Sequence, residues 1–169
     1  MQVQVQNSDI TAFKVSAVVN PANSQGVMDA GIGAALRACG GDAIQREAME
    51  AAPIAVGAAL ITEAGMLPAR HIIHAPTRPH SGDKTDAENI RRAARAALLA
   101  ANHLQLKEIA FPGIGPEDGS PDRSEAARAV VEEIRAHKRA FPETVYLVDT
   151  SNEMIEAFET ALHNAQQGL

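Results

Sequence analysis

The chain has 169 residues, of which 46% are hydrophobic and only 3% aromatic, and its formal net charge at pH 7 is −6. This length predicts a single domain, residues 1–169, that can bury a sizeable core. The acidic charge and the scarcity of aromatic residues weigh against nucleic-acid binding, because phosphate backbones select basic surfaces and single strands stack on aromatic rings.

The single cysteine, Cys39, can form no disulfide within the chain, which is typical of a reducing compartment. The first residues lack the charged and apolar regions of a signal peptide. No apolar run approaches the roughly 20 residues that cross a bilayer. We therefore expect a cytoplasmic protein that binds no membrane and no nucleic acid, with Cys39 as a small buried thiol.

Short apolar runs alternate with amphipathic segments along the whole chain. Strands are predicted at 2–6, 13–19, 57–64, 71–75, 108–112 and 145–148, and helices at 31–38, 42–52, 85–102 and from 122 and 150 onward. Residues 2–6 alternate polar and apolar, which is typical of a half-exposed strand at a sheet edge. The alternation of strands and helices predicts an α/β fold, with a mostly parallel sheet between two layers of helices.

Several boundaries of these elements have local signals. The second strand is expected to end at Asn20-Pro21, where the chain must turn. Helix starts are expected where a polar residue precedes Glu or Gln by three positions: Asp42 with Gln45, Thr85 with Glu88, Asp122 with Glu125, and Thr150 with Glu153.

Two glycine-containing loops, residues 26–33 and 113–119, each follow a predicted central strand. Ligands of parallel α/β sheets bind beyond the carboxyl ends of the strands. Glycine allows close approach of the backbone, and the N–H groups that begin a helix attract anions. The two loops therefore predict one pocket for an anionic ligand, with contacts from Gly31, Ile32 and Gly33 and from Gly113, Ile114 and Gly115.

Three polar residues near these loops are candidates for ligand recognition. Asn20 and Asn23 stand at the end of a central strand and suit the hydroxyl groups of a ligand. Asp9 could accept from an exocyclic amine such as that of adenine. The alternative, that all three only form turns, remains open at this point.

Other sites for nucleotides and metals are disfavoured. Leu36 stands where the third glycine of a dinucleotide fingerprint belongs, and no lysine follows either loop as in a triphosphatase. His71 and His74 are three apart on a predicted strand, so their side chains point to opposite faces. We expect no metal and no cofactor.

The chain resembles the macrodomains, a family that binds ADP-ribose, along nearly its whole length. Asp9-Ile10-Thr11 resembles the family's Asp-Ile-Thr, and residues 19–23, Val-Asn-Pro-Ala-Asn, resemble its Val-Asn-Ala-Ala-Asn. Residues 28–32 occupy the place of its Gly-Gly-Gly-Val loop. Residues 67–68 and 72–74 resemble its Leu-Pro and following Ile-His strand. Residues 109–115 are similar to the strand and start of its second phosphate loop.

The resemblance implies a macrodomain-like three-layer α/β/α fold and a site for ADP-ribose or a close relative. It implies that Asp9, with Ile10 beside it, binds adenine, and that Asn23, with Asn20 nearby, binds the distal ribose. The two glycine loops would hold the diphosphate. Val148 stands where the family has an adenine-stacking aromatic residue.

The resemblance leaves two classes of function open. One is hydrolysis of a group on the distal ribose, in O-acetyl-ADP-ribose or an ADP-ribosylated protein. Asn23 would orient the ribose, and either the pyrophosphate of the ligand or a carboxylate, Asp29 or Asp118, would activate water. The other is non-catalytic reading of ADP-ribose, because Gly33 stands where the hydrolases of the family carry an aspartate. A branch that cleaves ADP-ribosyl esters has a loop similar to residues 28–32, but its nucleophilic lysine has no clear counterpart here. A third hypothesis, less favoured than these two, is a phosphatase that acts on ADP-ribose phosphate.

Overall fold

The computed structural model of the chain describes residues 1–115 and 121–168. Its strands are β1 Gln2–Asn7, β2 Ala17–Asn23, β3 Leu60–Glu63, β4 His71–Arg78, β5 Glu108–Pro112 and β6 Thr144–Asp149. Its α-helices are α1 Gly31–Gly40, α2 Ala43–Glu50, α3 Ala87–His103, α4 Arg123–Ala136 and α5 Asn152–Gln166, and a 3-10 helix covers Ile10–Ala12. Within these two ranges, no helix combines the length and the apolar character that crossing a bilayer requires.

The six strands form one sheet in the order β1-β6-β5-β2-β4-β3. Neighbouring strands are parallel except for β3, which pairs antiparallel with β4. The predicted α/β fold with a mostly parallel mixed sheet is therefore confirmed. As expected from its alternating pattern, β1 lies at an edge of the sheet.

Successive side chains of each central strand enter opposite cores, which gives the fold its three layers. Val19 and Ile73 face one core, with α3, α4 and α5. Their neighbours Val18 and Ile72 face the other, with α1 and α2. The alanines of α3 and α4 allow close packing on the sheet, so a chain with few aromatic residues still buries both faces.

The second strand does not end at Asn20-Pro21 as predicted but continues to Asn23. On the β4 side the register runs on from Ala17 to Asn23. Pairing with β5 covers only Ala17 and Val18. Pro21 thus lies beyond the last β5 pair, on a stretch of β2 that pairs on one side only, as an edge strand does, and edge strands tolerate proline. The extension carries both asparagines to the end of the strand.

The predicted helix starts are corrected at three places. Only Asp122 caps as expected, because its carboxylate accepts from the Glu125 N–H at 2.8 Å. The caps of α3 and α5 lie one residue later, at Asp86 and Ser151. Asp42 makes no cap contact at α2 but accepts from Arg37 Nε at 2.9 Å. Cys39 is also exposed rather than buried.

Candidate functional site

A cleft of about 410 Å³ opens beyond the carboxyl ends of β2, β5 and β6. Its floor is residues 20–23, and one wall is the first glycine loop with the start of α1. The opposite wall is formed by residues 113 and 115 and by residues from the end of β6 and the start of α5. Arg78, Ser81, Gly82 and Arg123 complete the rim.

The wall at α1 presents a helix start that no side chain of the described residues caps. Ala30 occupies the N-cap position with extended backbone, φ −149° and ψ 157°, and has no polar side chain to offer. The first N–H groups of a helix have no partner inside it. Side chains of Asp86, Asp122 and Ser151 fill this role at α3, α4 and α5. The start of α1 therefore presents its N–H groups to the cleft.

The first glycine loop is held in place from both ends. Asn23 Oδ1 accepts from the N–H groups of Gln25 and Val27 at 3.1 and 3.3 Å, and its Nδ2 donates to the Val27 carbonyl at 2.8 Å. Gln45 Oε1 accepts from the Met28 N–H at 2.8 Å. Gln45, predicted for a capping box, instead braces this loop.

Asn20 lies at the inner end of the cleft and is almost fully buried. Its Nδ2 is 3.1 Å from Nδ1 of His74, and the other ring nitrogen of His74, Nε2, is 2.9 Å from Thr62 Oγ1. The Thr62 hydroxyl donates to the Glu63 carbonyl at 2.9 Å, so the ring nitrogen facing it is the donor, Nε2–H. Nδ1 of His74 then accepts a hydrogen bond from Asn20 Nδ2–H. Burial lowers the pKa of His74 to about 4, which keeps the ring neutral at neutral pH.

The side-chain oxygen of Asn20, Oδ1, differs from the other polar atoms of this network in its hydrogen bonding. Among the described residues it has no hydrogen-bond partner, although it is buried. A Cβ added to Gly33 would lie 3.6 Å from it and 3.5 Å from Met28 Cα, both ordinary contact distances. The missing side chain of Gly33 therefore leaves space beside an unpartnered acceptor.

The opposite wall is braced by a carboxylate. Asp149 Oδ2 accepts from the Gly113 N–H at 3.2 Å, and its Oδ1 accepts from the Ser151 N–H at 2.9 Å. A Cβ at Gly113 would lie 2.7 Å from Asp149 Oδ2 and 2.6 Å from Met154 Cγ, so any larger residue would have to displace these two side chains. The Gly113 N–H, predicted for an anion, is thus already engaged.

A second carboxylate joins the two sides of the rim. Asp29 is exposed on the cleft, and its Oδ1 accepts from the Ser81 hydroxyl at 2.6 Å. Arg78 is held beside Ser81 by contacts from its Nε to Thr77 Oγ1 and from its Nη1 to the Asp83 carbonyl, at 3.2 and 3.1 Å. The rim therefore carries charges of both signs.

The structure brings most of the sequence-predicted residues together. Eight line the cleft: Asn20, Asn23, Asp29, Gly31, Ile32, Gly33, Gly113 and Gly115. Asp9 lies outside this lining, and its Oδ1 accepts from the N–H and hydroxyl of Thr11 at 2.9 and 2.7 Å. Ile10 is buried beside it. Asp118 lies outside the described residues.

Two of the predicted residues have buried side chains. Ile114 is 1% exposed and packs in the core with α3 and α4, so only its backbone can reach a ligand. Val148 has no exposed surface and packs in the other core. It points away from the cleft because it alternates along β6 with Asp149, which does line the cleft.

Sequence reasoning did not single out Arg78, Ser81, Arg123, Asp149, Ser151 or Met154, which all line the cleft. Asp149 had a usable signal, since it ends a predicted parallel strand as Asn20 does. Arg78 and Ser81 follow β4 but sit in a stretch that resembles an ordinary polar loop. Among the described residues, no three His, Cys, Asp or Glu side chains come together as a metal site would need.

Comparison with known proteins identifies what this architecture is similar to. The model of the Macro domain family matches residues 19–130, more than half of the chain. A protein of Aquifex aeolicus is 43% identical over 162 residues, which cover 96% of this chain and 98% of that protein.

Two solved structures have the same fold. A mutant of the Oceanobacillus iheyensis macrodomain with ADPR gives a TM-score of 0.83 at 22% identity, covering 98% of this chain and 92% of that chain. The Trypanosoma brucei macrodomain in complex with ADP-ribose gives 0.82 at 19% identity, covering 95% and 69%.

Proposed function

This chain belongs to the macrodomain family, and from that premise we propose that its cleft binds ADP-ribose and hydrolyses an ester or ADP-ribosyl linkage at the distal ribose. The observation that carries the proposal is the uncapped start of α1 on one wall of the cleft. Solved macrodomains of similar fold, from Oceanobacillus iheyensis and Trypanosoma brucei, have ADPR or ADP-ribose bound. The substrate would be O-acetyl-ADP-ribose or a mono-ADP-ribosylated protein. The protein would act in the cytoplasm.

The diphosphate would sit at the start of α1. N–H groups of Gly31, Ile32 and Gly33 provide partial positive charge there without any lysine, which suits an acidic chain. Contacts from the other wall would come from the N–H groups of Ile114 and Gly115, because Asp149 occupies that of Gly113. Guanidinium groups of Arg78 and Arg123 line the cleft and offset part of the charge of its two carboxylates.

The nucleoside end would bind toward Asp9. Its Oδ1 already accepts two bonds from Thr11, which fixes the carboxylate, and Oδ2 would accept from the adenine amino group. At the other end the distal ribose would meet Asn20 and Asn23. Two of the three loop contacts of Asn23 use its oxygen, so its Nδ2 keeps a second hydrogen for a ribose hydroxyl.

Hydrolysis would use Asp29 as the general base. Its carboxylate is exposed on the cleft and oriented by the Ser81 hydroxyl. Water would add to the acyl carbon while Asp29 takes its proton, and the bond from that carbon to the ribose oxygen would break. The ribose oxygen then recovers the proton, which leaves acetate and ADP-ribose.

A non-catalytic reader of ADP-ribose is the second candidate. It is favoured by one observation, that Gly33 leaves the first turn of α1 without a carboxylate. The reader would use the same contacts for adenine, diphosphate and ribose. The two candidates differ only in turnover.

Calorimetric titration with ADP-ribose, beside ADP, AMP and NAD, tests the ligand. We expect micromolar binding of ADP-ribose, weakened about tenfold or more in Asp9→Ala because a hydrogen bond to a charged group is lost. Asp86→Ala is the matched control, since that carboxylate also caps a helix, α3, but has no contact assigned to the ligand. If wild type does not bind ADP-ribose, the proposal is wrong.

Turnover of O-acetyl-ADP-ribose, followed by chromatography, then separates enzyme from reader. In an enzyme, Asp29→Asn should lower turnover about a hundredfold, the usual scale of general-base catalysis. The same substitution should leave the affinity for ADP-ribose unchanged or raise it slightly, because it removes a negative charge from the cleft. Binding without turnover in wild type favours the reader.

A further inference from the structure

A second concave surface lies at the opposite end of the sheet from the cleft. It encloses about 300 Å³ between the C-terminal parts of α3 and α4 and the loop that follows α4. That loop leads to the first residue of β6, whereas the cleft opens beyond the last residues of the strands. This surface, the α3–α4 groove, is defined by Arg95, Leu98, Leu99, Glu133, Lys138 and Arg139. A ligand of the groove therefore binds apart from a ligand of the cleft.

The groove is positively charged, although the formal net charge of the chain is −6. Three of its described side chains are cationic at neutral pH, Arg95, Lys138 and Arg139, and Glu133 is the one carboxylate among them. Lys138 and Arg139 are exposed, and neither forms a salt bridge with any described residue. The groove therefore presents two uncompensated positive charges to a ligand.

The third cation, Arg95, is held in a fixed orientation by the carboxylate of the groove. Its Nη2 donates to Glu133 Oε1 at 2.8 Å, and its Nε donates to Glu133 Oε2 at 3.3 Å. The Glu133 side chain is only 11% exposed, whereas that of Arg95 is 58% exposed. A two-point contact of this kind fixes the plane of the guanidinium group. The Nη1 of Arg95 takes no part in this contact, so it can donate to a ligand without reorganisation.

The groove also has an aliphatic floor and a braced wall. Leu99 is 43% exposed, and it follows the buried Leu98, which lines the groove with it. In the loop after α4, His137 Nε2 lies 2.7 Å from the Phe141 carbonyl oxygen, and the Phe141 N–H donates to Asn102 Oδ1 of α3 at 3.2 Å. A preformed site loses less conformational entropy when a ligand binds. Charge and apolar surface are thus presented together by a fixed part of the fold.

We propose that the α3–α4 groove binds an acidic segment of a partner protein, which places an aliphatic side chain on Leu99 and carboxylates on Lys138 and Arg139. Two carboxylates match the two uncompensated charges, and such complementarity selects one partner over others. A nucleic acid fits less well, because the described lining has no aromatic side chain for base stacking and the acidic remainder of the chain repels a long phosphate backbone. The inference does not depend on the proposed function, since it involves no residue of the cleft.

Fluorescence anisotropy with labelled synthetic peptides tests this chemistry. The probe is a peptide of about ten residues in which two glutamates flank two leucines, long enough to cross the groove in extended form. Matched peptides replace the glutamates by glutamine or the leucines by serine. We expect the probe to bind at least about fivefold more tightly than either matched peptide, because it alone provides both the charge and the apolar contact. Equal binding of the three peptides, or no binding of the probe at a protein concentration of about 1 mM, would overturn the inference.

A charge reversal with a matched control locates the contact. Lys138→Glu combined with Arg139→Glu should weaken binding of the probe about tenfold or more, because attraction becomes repulsion at the groove. Lys14→Glu combined with Arg46→Glu changes the net charge equally at two exposed positions on the face of the sheet that carries α1 and α2. This control should bind the probe within about twofold of wild type, since distant charges are screened. An equal loss in both double variants would mean that only the total charge matters, and the inference would be wrong.

Chemical-shift mapping on the ¹⁵N-labelled wild type needs no variant to fold. The probe should shift the backbone signals of residues 95–99 and 136–139 and leave those of residues 20–33, in the cleft, unchanged. Shifts centred on the cleft would overturn the inference. A wild type that does not bind ADP-ribose would contradict the proposed function and leave this result unaffected.

Two other occupants of the groove give different results. A single-stranded DNA oligonucleotide or phosphatidylserine vesicles that bind more tightly than the probe, and lose affinity in Lys138→Glu with Arg139→Glu, would assign the groove to a polyanion. A dimer in sedimentation equilibrium that the same double variant dissociates would assign it to a second copy of the chain. Either outcome would overturn the proposal of an acidic partner segment.

Discussion

Asp149 Oδ2 accepts a hydrogen bond from the Gly113 N–H at 3.2 Å, which ties the end of β6 to the residue that follows β5. The same carboxylate accepts from the Ser151 N–H at 2.9 Å and so also fixes the entry to α5. A glycine N–H that would be expected to contact phosphate is thereby used to shape the cleft. One wall of the cleft depends on a negative charge, although the site is proposed for an anion.

Loss of this carboxylate should destabilise the fold. Asp149→Ala leaves two backbone N–H groups without their partner, and we expect the free energy of unfolding to fall by about 1–3 kcal/mol. Asp86→Ala, which removes a single cap contact on α3, should lose only about 1 kcal/mol. Urea denaturation of the three proteins measures both. Asp149→Ala within about 0.5 kcal/mol of wild type would show that water replaces the carboxylate at no loss.

The buried histidine should make stability depend on pH. Burial lowers the pKa of His74 from 6.5 to about 4 in the folded chain. Between these values the unfolded chain binds a proton that the folded chain does not, so stability falls as pH falls through this window. The full difference is about 3 kcal/mol, at about 1.4 kcal/mol per pKa unit.

His74→Asn isolates this contribution from the other titrating groups. The stability advantage of wild type over the variant should shrink by about 3 kcal/mol between about pH 7 and about pH 4, measured by urea denaturation. A constant difference across this range would mean that His74 is charged, or exposed to water, in the folded protein.

The fold was largely predictable from the sequence because its signals are local. Buried strands and amphipathic helices can each be recognised from the spacing of hydrophobic residues in the sequence. The strand β5, for example, was predicted with its observed bounds, Glu108–Pro112. The second strand was cut short because a proline normally ends pairing. Proline is tolerated inside β2 because β5 pairs only with the first residues of that strand. How far β5 extends is a property of the whole sheet and not of the local sequence.

The site was predictable only in part, since backbone loops have sequence signals and long-range contacts do not. The glycines of the two loops and the asparagines at the end of β2 were enough to predict where both walls of the cleft lie. The bond between Asp29 and Ser81 joins residues 52 positions apart, and that between Asp149 and Gly113 joins residues 36 apart. No pattern in the chain indicates such pairs. Val148 shows a different limit, because matching a family position says nothing of which face of the strand the side chain takes.

Two glycines of the chain should differ sharply in their tolerance of alanine. Gly33→Ala makes ordinary contacts and replaces a poor helix former in α1, so its stability should stay within about 1 kcal/mol of wild type, on the stabilising side. Gly65 has φ +58°, and a Cβ there would collide with the Gly40 carbonyl oxygen. Gly65→Ala should therefore lose about 3 kcal/mol in thermal or urea unfolding. Similar losses in the two variants would show that the space beside Asn20 is closed.

The uncapped start of α1 should couple stability to ligand affinity in opposite directions. Ala30 already has the extended backbone of an N-cap residue, so Ala30→Asp can cap the helix without rearrangement. We expect a gain of about 1 kcal/mol in the free energy of unfolding. The new carboxylate would accept from the N–H groups proposed for the diphosphate and repel its charge, so ADP-ribose should bind at least about tenfold more weakly.

Ala30→Asn separates the two effects, because it caps without a charge. It should give a similar stability gain and an affinity between those of wild type and Ala30→Asp, measured by calorimetry and urea denaturation. The gap between the Asp and Asn variants should narrow at high salt, where the repulsion is screened. If Ala30→Asp gains stability and binds ADP-ribose as wild type does, the diphosphate lies elsewhere in the cleft. The uncapped helix start would then have no part in binding.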